Sequence, residues 1–385
     1  MLFRSEGLRL LEDVPDHPER VKLIIARAFD HYWLRPEAEC DYGAAEENAR
    51  EAFRLAEAIG SLQDMSAAMD ALAGMYFQTT EFSKMLDVTQ KRIPIVEQID
   101  DPLESIDLHR MLGFSYESLG NYTDAVKHSE HAYHLASHSG QIGYAVMIAD
   151  AARTYTKWDR WDAAVHWCRL YDESAGRRVL VQQHWTIACR AVAAAIQGDL
   201  EEARRQAGEI ERLPGRHPGL AWWRSLARLL TAMAIGDHEK SRVVVEEGLR
   251  LADTPAAKLE IHTLVLQFAS QAREWSYIDQ LGSDTLDRAR RSEGRYHIAL
   301  NCRSLGIHRR EHGRLDEAGV LLKEAEDLFR ALDCRWQLGK TLRELALLRR
   351  AQGRSDDAAR LIQEALTHFE ALGAVPDIER TRALM

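Results

Sequence analysis

The residues best spaced for chemistry in this sequence are His308, Glu311 and His312. On a helix the two histidines stand one turn apart and can share a zinc ion while the carboxylate between them activates water. That chemistry also needs a more distant acidic ligand in an α/β setting, whereas this segment is helical and stops at Gly313 with no strand nearby. A second group, His128, His131, His134 and His138, falls on one helix, with the last three within about 60 degrees of each other around its axis. The core stripe of that helix reads Ala125, Ser129, Ala132 and Ala136, so the histidines point sideways or outward. They read as exposed polar residues, with metal binding or pH sensing as the alternative. The run Leu338, Gly339, Lys340, Thr341 ends like a phosphate-binding loop, but Cys334 stands in place of the first glycine and no strand precedes it. Cys40, Cys168, Cys189, Cys302 and Cys334 are far apart and form no CxxC pair, which suits small core residues rather than a zinc or disulfide framework. No GxSxG, GxGxxG or DFG-like set is present. The expectation is no catalytic residue, no metal and no cofactor.

The elements that carry these residues are helices. Amphipathic segments alternate with short turns holding Gly or Asp, and strand signals are nearly absent. With 46% apolar and 29% charged residues, 9 Pro and 23 Gly, the 385-residue chain can bury a core and is neither collagenous nor disordered. No run approaches the length of a membrane span, and Arg4, Glu6 and Arg9 interrupt the start where a signal peptide would be apolar, so the expected location is the cytoplasm with no membrane contact. A net charge of -10 argues against nucleic acid as a direct ligand. Residues 1–150 carry 13 Lys/Arg against 26 Asp/Glu, and the remainder 37 against 34, so the acidity lies in the first part.

Self-similarity organises the whole chain. In LHRMLGFSYESLGNYTDAVKHSEHAYHLA, the residues Leu112, Gly113, Tyr116, Gly120, Tyr122, Ala125 and Ala132 fall where a tetratricopeptide repeat places its small and large packing residues, and the segment resembles that family. Gly113 and Ala125 would let two antiparallel helices approach, while Tyr116 fills the hole between them and the next pair. Aligning on the small residue gives Trp33, Ala73, Gly113, Ala152, Ala191, Leu229, Gln267, Gly306 and Ala346, in steps of 38 to 40. The units at Trp33, Leu229 and Gln267 fit worst. A period near 39 exceeds the usual 34, and phrases such as LAEAIGSLQDMSAAMDALAGMYF look like the long-repeat sensor regions of MalT-like bacterial regulators and signal-transduction ATPases. The resemblance implies an all-α, right-handed superhelix of about nine helix-turn-helix repeats over residues 1–385. Residues 1–15 would be the orphan second helix of a truncated repeat, left by a longer ancestor or acting as an improvised cap, and 374–385 a C-terminal capping helix.

In that superhelix the first helices line a concave groove. Carrying the register across places Asp70, Phe77, Asp107, Arg110, Phe114, Glu117, Asp150 and Arg153 in an acidic first stretch, and Trp185, Val192, Ile196, Trp223, Leu226, Leu230, Met233, Ile261, Leu264 and Phe268 in an apolar middle. Arg303, Arg310, Lys340, Arg343 and Arg350 form a basic end. The groove would take an acidic or amphipathic peptide or partner protein, anchored near Trp185 and Trp223; alternatively those apolar residues pack against neighbouring turns of the protein itself. The function implied is a non-catalytic interaction or ligand-sensing module of a bacterial regulatory system, with an upstream effector domain or a second copy of the chain as candidate partners. Self-association into a structural oligomer is the alternative, and a zinc peptidase acting through His308, Glu311 and His312 ranks behind both.

Overall fold

A computed structural model describes residues 10–11, 14, 17–33, 35, 37–139, 144–175, 183–213 and 221–385. The orphan helix expected over residues 1–15 lies almost wholly outside the described residues. Among them are nineteen α-helices and no strand. The first helices of the repeats are α1 (Pro18–Asp30), α3 (Leu62–Gln78), α5 (Pro102–Leu119), α7 (Tyr144–Lys157), α9 (Gln183–Ile196), α11 (Ala221–Ala234), α13 (Pro255–Ala272), α15 (Arg295–Glu311) and α17 (Arg335–Ala351). Their partners are α2 (Tyr42–Ile59), α4 (Phe82–Val96), α6 (Tyr122–His138), α8 (Trp161–Ala175), α10 (Leu200–Arg212), α12 (His238–Leu251), α14 (Trp275–Arg291), α16 (Leu315–Ala331) and α18 (Ser355–Ala371), and α19 (Val375–Arg382) follows. No described helix is long and apolar enough to cross a membrane.

The repeat shows in the backbone as well as in the side chains. Glu293, Gly313, Asp333, Gly353 and Gly373 take positive φ at twenty-residue intervals, each in the tight turn that reverses the chain between helices. Several helices begin at an acidic cap: the carboxylates of Asp41, Asp199 and Asp237 accept from the N–H groups of Ala44, Glu202 and Lys240 at 2.9 to 3.0 Å.

The chain forms two compact units, residues 1–119, 123–147 and 253–256, and residues 120–122, 148–252 and 257–385. In the first unit Ala28, Ala45, Ala49, Ala73, Met75 and Met85 are buried together, and the Tyr32 hydroxyl donates to the Ala71 carbonyl at 2.9 Å. A Cβ on Gly113 would stand 2.6 Å from Ser129 Oγ and 3.1 Å from the Ala125 carbonyl oxygen, so the close approach of α5 and α6 requires glycine. In the second unit Gly306 and Gly339 play the same part against Leu322 and Phe369. The core there joins Ile278, Leu300, Phe329, Leu338, Leu342 and Phe369.

Three aligned positions need correction. Trp33 is not the small residue of the first unit: it is 49% exposed beyond the end of α1, and fully buried Ala28 does that work. The turn from α1 to α2 is longer than the others and holds a 3-10 turn at Glu37–Glu39, which displaced the register. Leu229 is buried on α11, and the small residue of that unit sits on the other helix, where a Cβ on Gly248 would lie 3.1 Å from Ser225 Oγ and 3.3 Å from Ile261. Gln267 turns its amide to a cavity, described next, instead of packing between helices.

Candidate functional site

Successive first helices of the second unit present their free faces to one cavity of about 230 Å³. α7 contributes Arg153 and Lys157, α9 Trp185, Val192 and Ile196, and α11 Leu226, Leu230 and Met233. α13 contributes Glu260, Leu264 and Gln267, α15 Tyr296, His297 and Arg303, α17 Trp336, Gln337, Lys340 and Arg343, and α19 Asp377 and Arg380. A register of near 39 residues puts the same face of every first helix inward, which is why residues spread over more than two hundred positions converge.

The unit is held around this cavity by contacts between the turn after α7 and the start of α17. Asp159 is 1% exposed, and its Oδ2 accepts from the backbone N–H groups of Trp336 at 2.9 Å and Gln337 at 3.1 Å. Arg160 pairs with Asp333, and the Cys334 thiol donates to the Lys157 carbonyl at 3.4 Å. Burial pushes the Asp159 carboxyl up to about 7, although the two N–H groups pull against it.

The cavity has an apolar side and a polar side. Val192, Leu226, Leu230, Met233 and Leu264 make the first. Trp185 meets Trp223 edge to face with centroids 5.6 Å apart, and the Arg153 guanidinium lies 5.9 and 5.6 Å from the two rings. On the polar side Glu260 lies 3.5 Å from Lys157 and 3.2 Å from His297. Burial pushes the Glu260 carboxyl up, but Lys157 and His297 outweigh it and hold the group well below the usual carboxylate range. Asp377 accepts from Arg343 at 2.8 Å and from the Trp336 indole at 2.7 Å.

Of the residues placed in the groove from sequence, Arg153, Trp185, Val192, Ile196, Leu226, Leu230, Met233, Leu264, Arg303, Lys340 and Arg343 line the cavity. Trp223 stands behind Trp185 as its ring partner and is not a lining residue. Phe268 is 1% exposed and packs towards His238, at a centroid distance of 6.3 Å, because one residue along a helix turns a side chain by about 100 degrees. The basic end is largely neutralised. Arg310 pairs with Glu344 at 2.7 Å and Glu311 at 2.8 Å, Arg343 with Asp377, and exposed Arg350 donates to the Leu384 carbonyl. Arg343 is thus part of a buried ion pair and not a free surface charge. Glu260, His297, Gln337 and Asp377 escaped the sequence reading; the first three sit on the inward faces of first helices, so a full listing of those faces would have found them, and Asp377 sits on α19.

The acidic stretch of the first unit is also engaged. Arg92 of α4 is 1% exposed and meets Asp70 at 2.9 Å, Asp107 at 3.0 Å and Glu104 at 3.6 Å. Phe77 and Phe114 pack with centroids 4.7 Å apart.

The histidine motifs resolve into different surroundings. His128 faces His109 of α5, with their Nδ1 atoms 2.9 Å apart, and stacks on Tyr116. His131 meets His109 edge-on, while exposed His134 and His138 stay on the outer face. Burial pulls His109 down to about 4, helped by His131 and His128. His308 is buried beside Trp275 and 3.2 Å from Asp279, and His312 Nδ1 reaches the His308 carbonyl oxygen. Glu311 turns to Arg310 and Arg273. Among the described residues no group of three His, Cys, Asp or Glu has the geometry of a metal site. Lys340 and Thr341 lie within α17, not in a loop.

No family model matches the sequence, and no curated protein matches it. Solved structures do resemble the fold. A Rap protein complexed with competence and sporulation factor superposes with a TM-score of 0.61 at 12% identity, over 92% of this chain and 99% of that one. The apo form of the quorum sensor NprR from B. thuringiensis gives 0.52 at 15%, over 91% and 99%. Cut9, in the APC/C hetero-tetramer Cut9-Hcn1, gives 0.56 at 15%, covering 94% of this chain and 63% of that one. The fold is therefore the all-α helical-repeat architecture of the tetratricopeptide type.

Proposed function

We propose that the protein is a non-catalytic ligand-sensing and protein-interaction module whose ligand, a peptide or a peptide segment of a partner, enters the cavity of the second unit. The observation that carries this reading is the cavity itself, in which apolar side chains and charged groups from eight helices converge. Because the lining helices come from successive repeats, a bound ligand contacts several repeat interfaces at once and can alter how they stack. The similar folds include a quorum sensor and a Rap protein complexed with competence and sporulation factor, which supports a sensing role; a place in a bacterial regulatory system is part of the same reading.

The test is affinity selection from a random peptide pool on the immobilised full chain, beside a Leu230→Trp variant that fills the cavity. Peptides retained by the wild type and lost by the variant are expected. Equal retention by both would place the ligand elsewhere.

A further inference from the structure

Three carboxylates reach the cavity, and each already has its cation. Glu260 has Lys157, with His297 Nε2 at 3.2 Å, Asp377 has Arg343, and Glu344 has Arg310. Arg303 and Lys340 remain, beside exposed Arg380, which donates to the Pro376 carbonyl. Arg303, 4% exposed, donates only to neutral oxygens, the Gln337 carbonyl at 3.1 Å and Gln267 Oε1 at 3.5 Å. Lys340 Nζ stands 4.1 Å from the centroid of the Trp336 ring and, among the described residues, pairs with no carboxylate. The charged groups facing it are Arg303 from α15, Arg343 on its own helix, Asp377 and Arg380 from α19, and Asp159 from the turn after α7. Burial, with Arg303 next, pulls the Lys340 ammonium down to about 7.

On the same wall Gln337 is 4% exposed, and its Oε1 has no hydrogen-bond partner. Its Nε2 donates to the Tyr296 hydroxyl at 3.1 Å, which leaves Oε1 as the acceptor without a donor. An unpartnered buried acceptor is costly and calls for a donor. The site thus offers Arg303 and Lys340, neither paired with a carboxylate, beside the orphan acceptor Gln337 Oε1 and apolar lining side chains.

We propose that this cavity binds an N-acylated apolar amino acid, with its carboxylate on Lys340 and Arg303, its amide N–H donated to Gln337 Oε1, and its side chain among Val192, Leu230 and Met233. A free N-acyl amino acid and the C-terminal residue of a peptide share this chemistry, and about 230 Å³ suits one such residue. The assignment rests on the cavity being the ligand site. A carboxylate beside Lys340 favours its charged form, so binding takes up a proton above pH 7.

Titration calorimetry on the full chain tests this with N-acetyl-L-leucine, its C-terminal amide, and two hexapeptide pools of equal composition, one with free and one with amidated C-termini. The acid is expected to bind about tenfold or more tightly than the amide, as for a lost charged hydrogen bond. Lys340→Met loses that preference and Lys340→Arg keeps it, both with unchanged circular dichroism. At pH 8 the wild type takes up a proton on binding and Lys340→Arg does not. Preference for the free-ended pool identifies a peptide C-terminus as the source, and binding of N-acetyl-L-leucine with neither pool identifies a free acid. Pools that bind without regard to amidation, or a Lys340→Met protein that binds like wild type, would overturn the carboxylate assignment and leave the peptide reading standing. Binding of neither pool and not of N-acetyl-L-leucine would overturn both.

Discussion

The Asp159 carboxylate accepts a hydrogen bond from the backbone N–H of Gln337, 178 positions further along the chain. Asp159 itself takes a positive φ of 58° in the turn after α7, and it caps the start of α17 by way of Trp336 and Gln337. One buried acidic residue therefore joins the turn beside Lys157 to the helix that carries Lys340, on either side of the cavity.

This contact makes stability depend on pH. The folded-state carboxyl titrates at about 7, against about 3.9 for an unfolded aspartate, so between these values the folded protein holds a proton that the unfolded chain has released. Stability from this group is complete below about pH 4 and is lost as pH rises through 7. Asp159→Asn should flatten that part of the melting-temperature profile. Calorimetric scans of both proteins from pH 4 to 8 check it, and parallel profiles would count against it.

Arg343 should be hard to replace. Its pairing with Asp377 is largely buried, with side chains 13% and 5% exposed. Arg343→Glu sets two carboxylates together and is expected to cost about 3–5 kcal/mol, the range for breaking a buried pair. Arg350→Glu, on an exposed residue, should change stability by less than about 1 kcal/mol. Denaturant unfolding of the two variants separates these outcomes.

The glycines divide by what surrounds them. Gly113→Ala forces a methyl against Ser129 and the Ala125 carbonyl and should destabilise by about 1–3 kcal/mol. Gly208, within α10, has nothing within 4 Å of a built Cβ, so Gly208→Ala should stabilise by about 0.5–1 kcal/mol. Melting temperatures moving in opposite directions would bear this out.

His109 sets an acid limit for the first unit. Its folded-state value near 4 lies below the unfolded value of about 6.5, so its contribution is present above 6.5 and is lost as pH falls through 4. His109→Gln should reduce the loss of melting temperature between pH 6.5 and 4. A two-dimensional NMR titration of the wild type should show the His109 ring still neutral at pH 5.

What could be read directly from the sequence was the repeat, because its cause is local. A small residue must recur wherever two helices touch, as at Gly113 and Gly306, and a left-handed turn must recur wherever the chain reverses. Those demands act over twenty to forty residues and leave a visible period. The inward positions came from carrying the register of the resembled superhelix across, and Trp185, Leu230, Arg303 and Lys340 do line the cavity. The register failed where spacing changed, at Trp33 before the longer turn to α2, and where one residue was the wrong side of a helix, at Phe268. Only the tertiary structure decided which charges remain unmatched. Arg310, Arg343 and Lys340 look alike in sequence, but the first two find Glu344 and Asp377, 34 residues away on the next helices, and the third does not. Pairing depends on the angle at which each side chain leaves its helix and on what the next repeat offers there, and neither leaves a period to read.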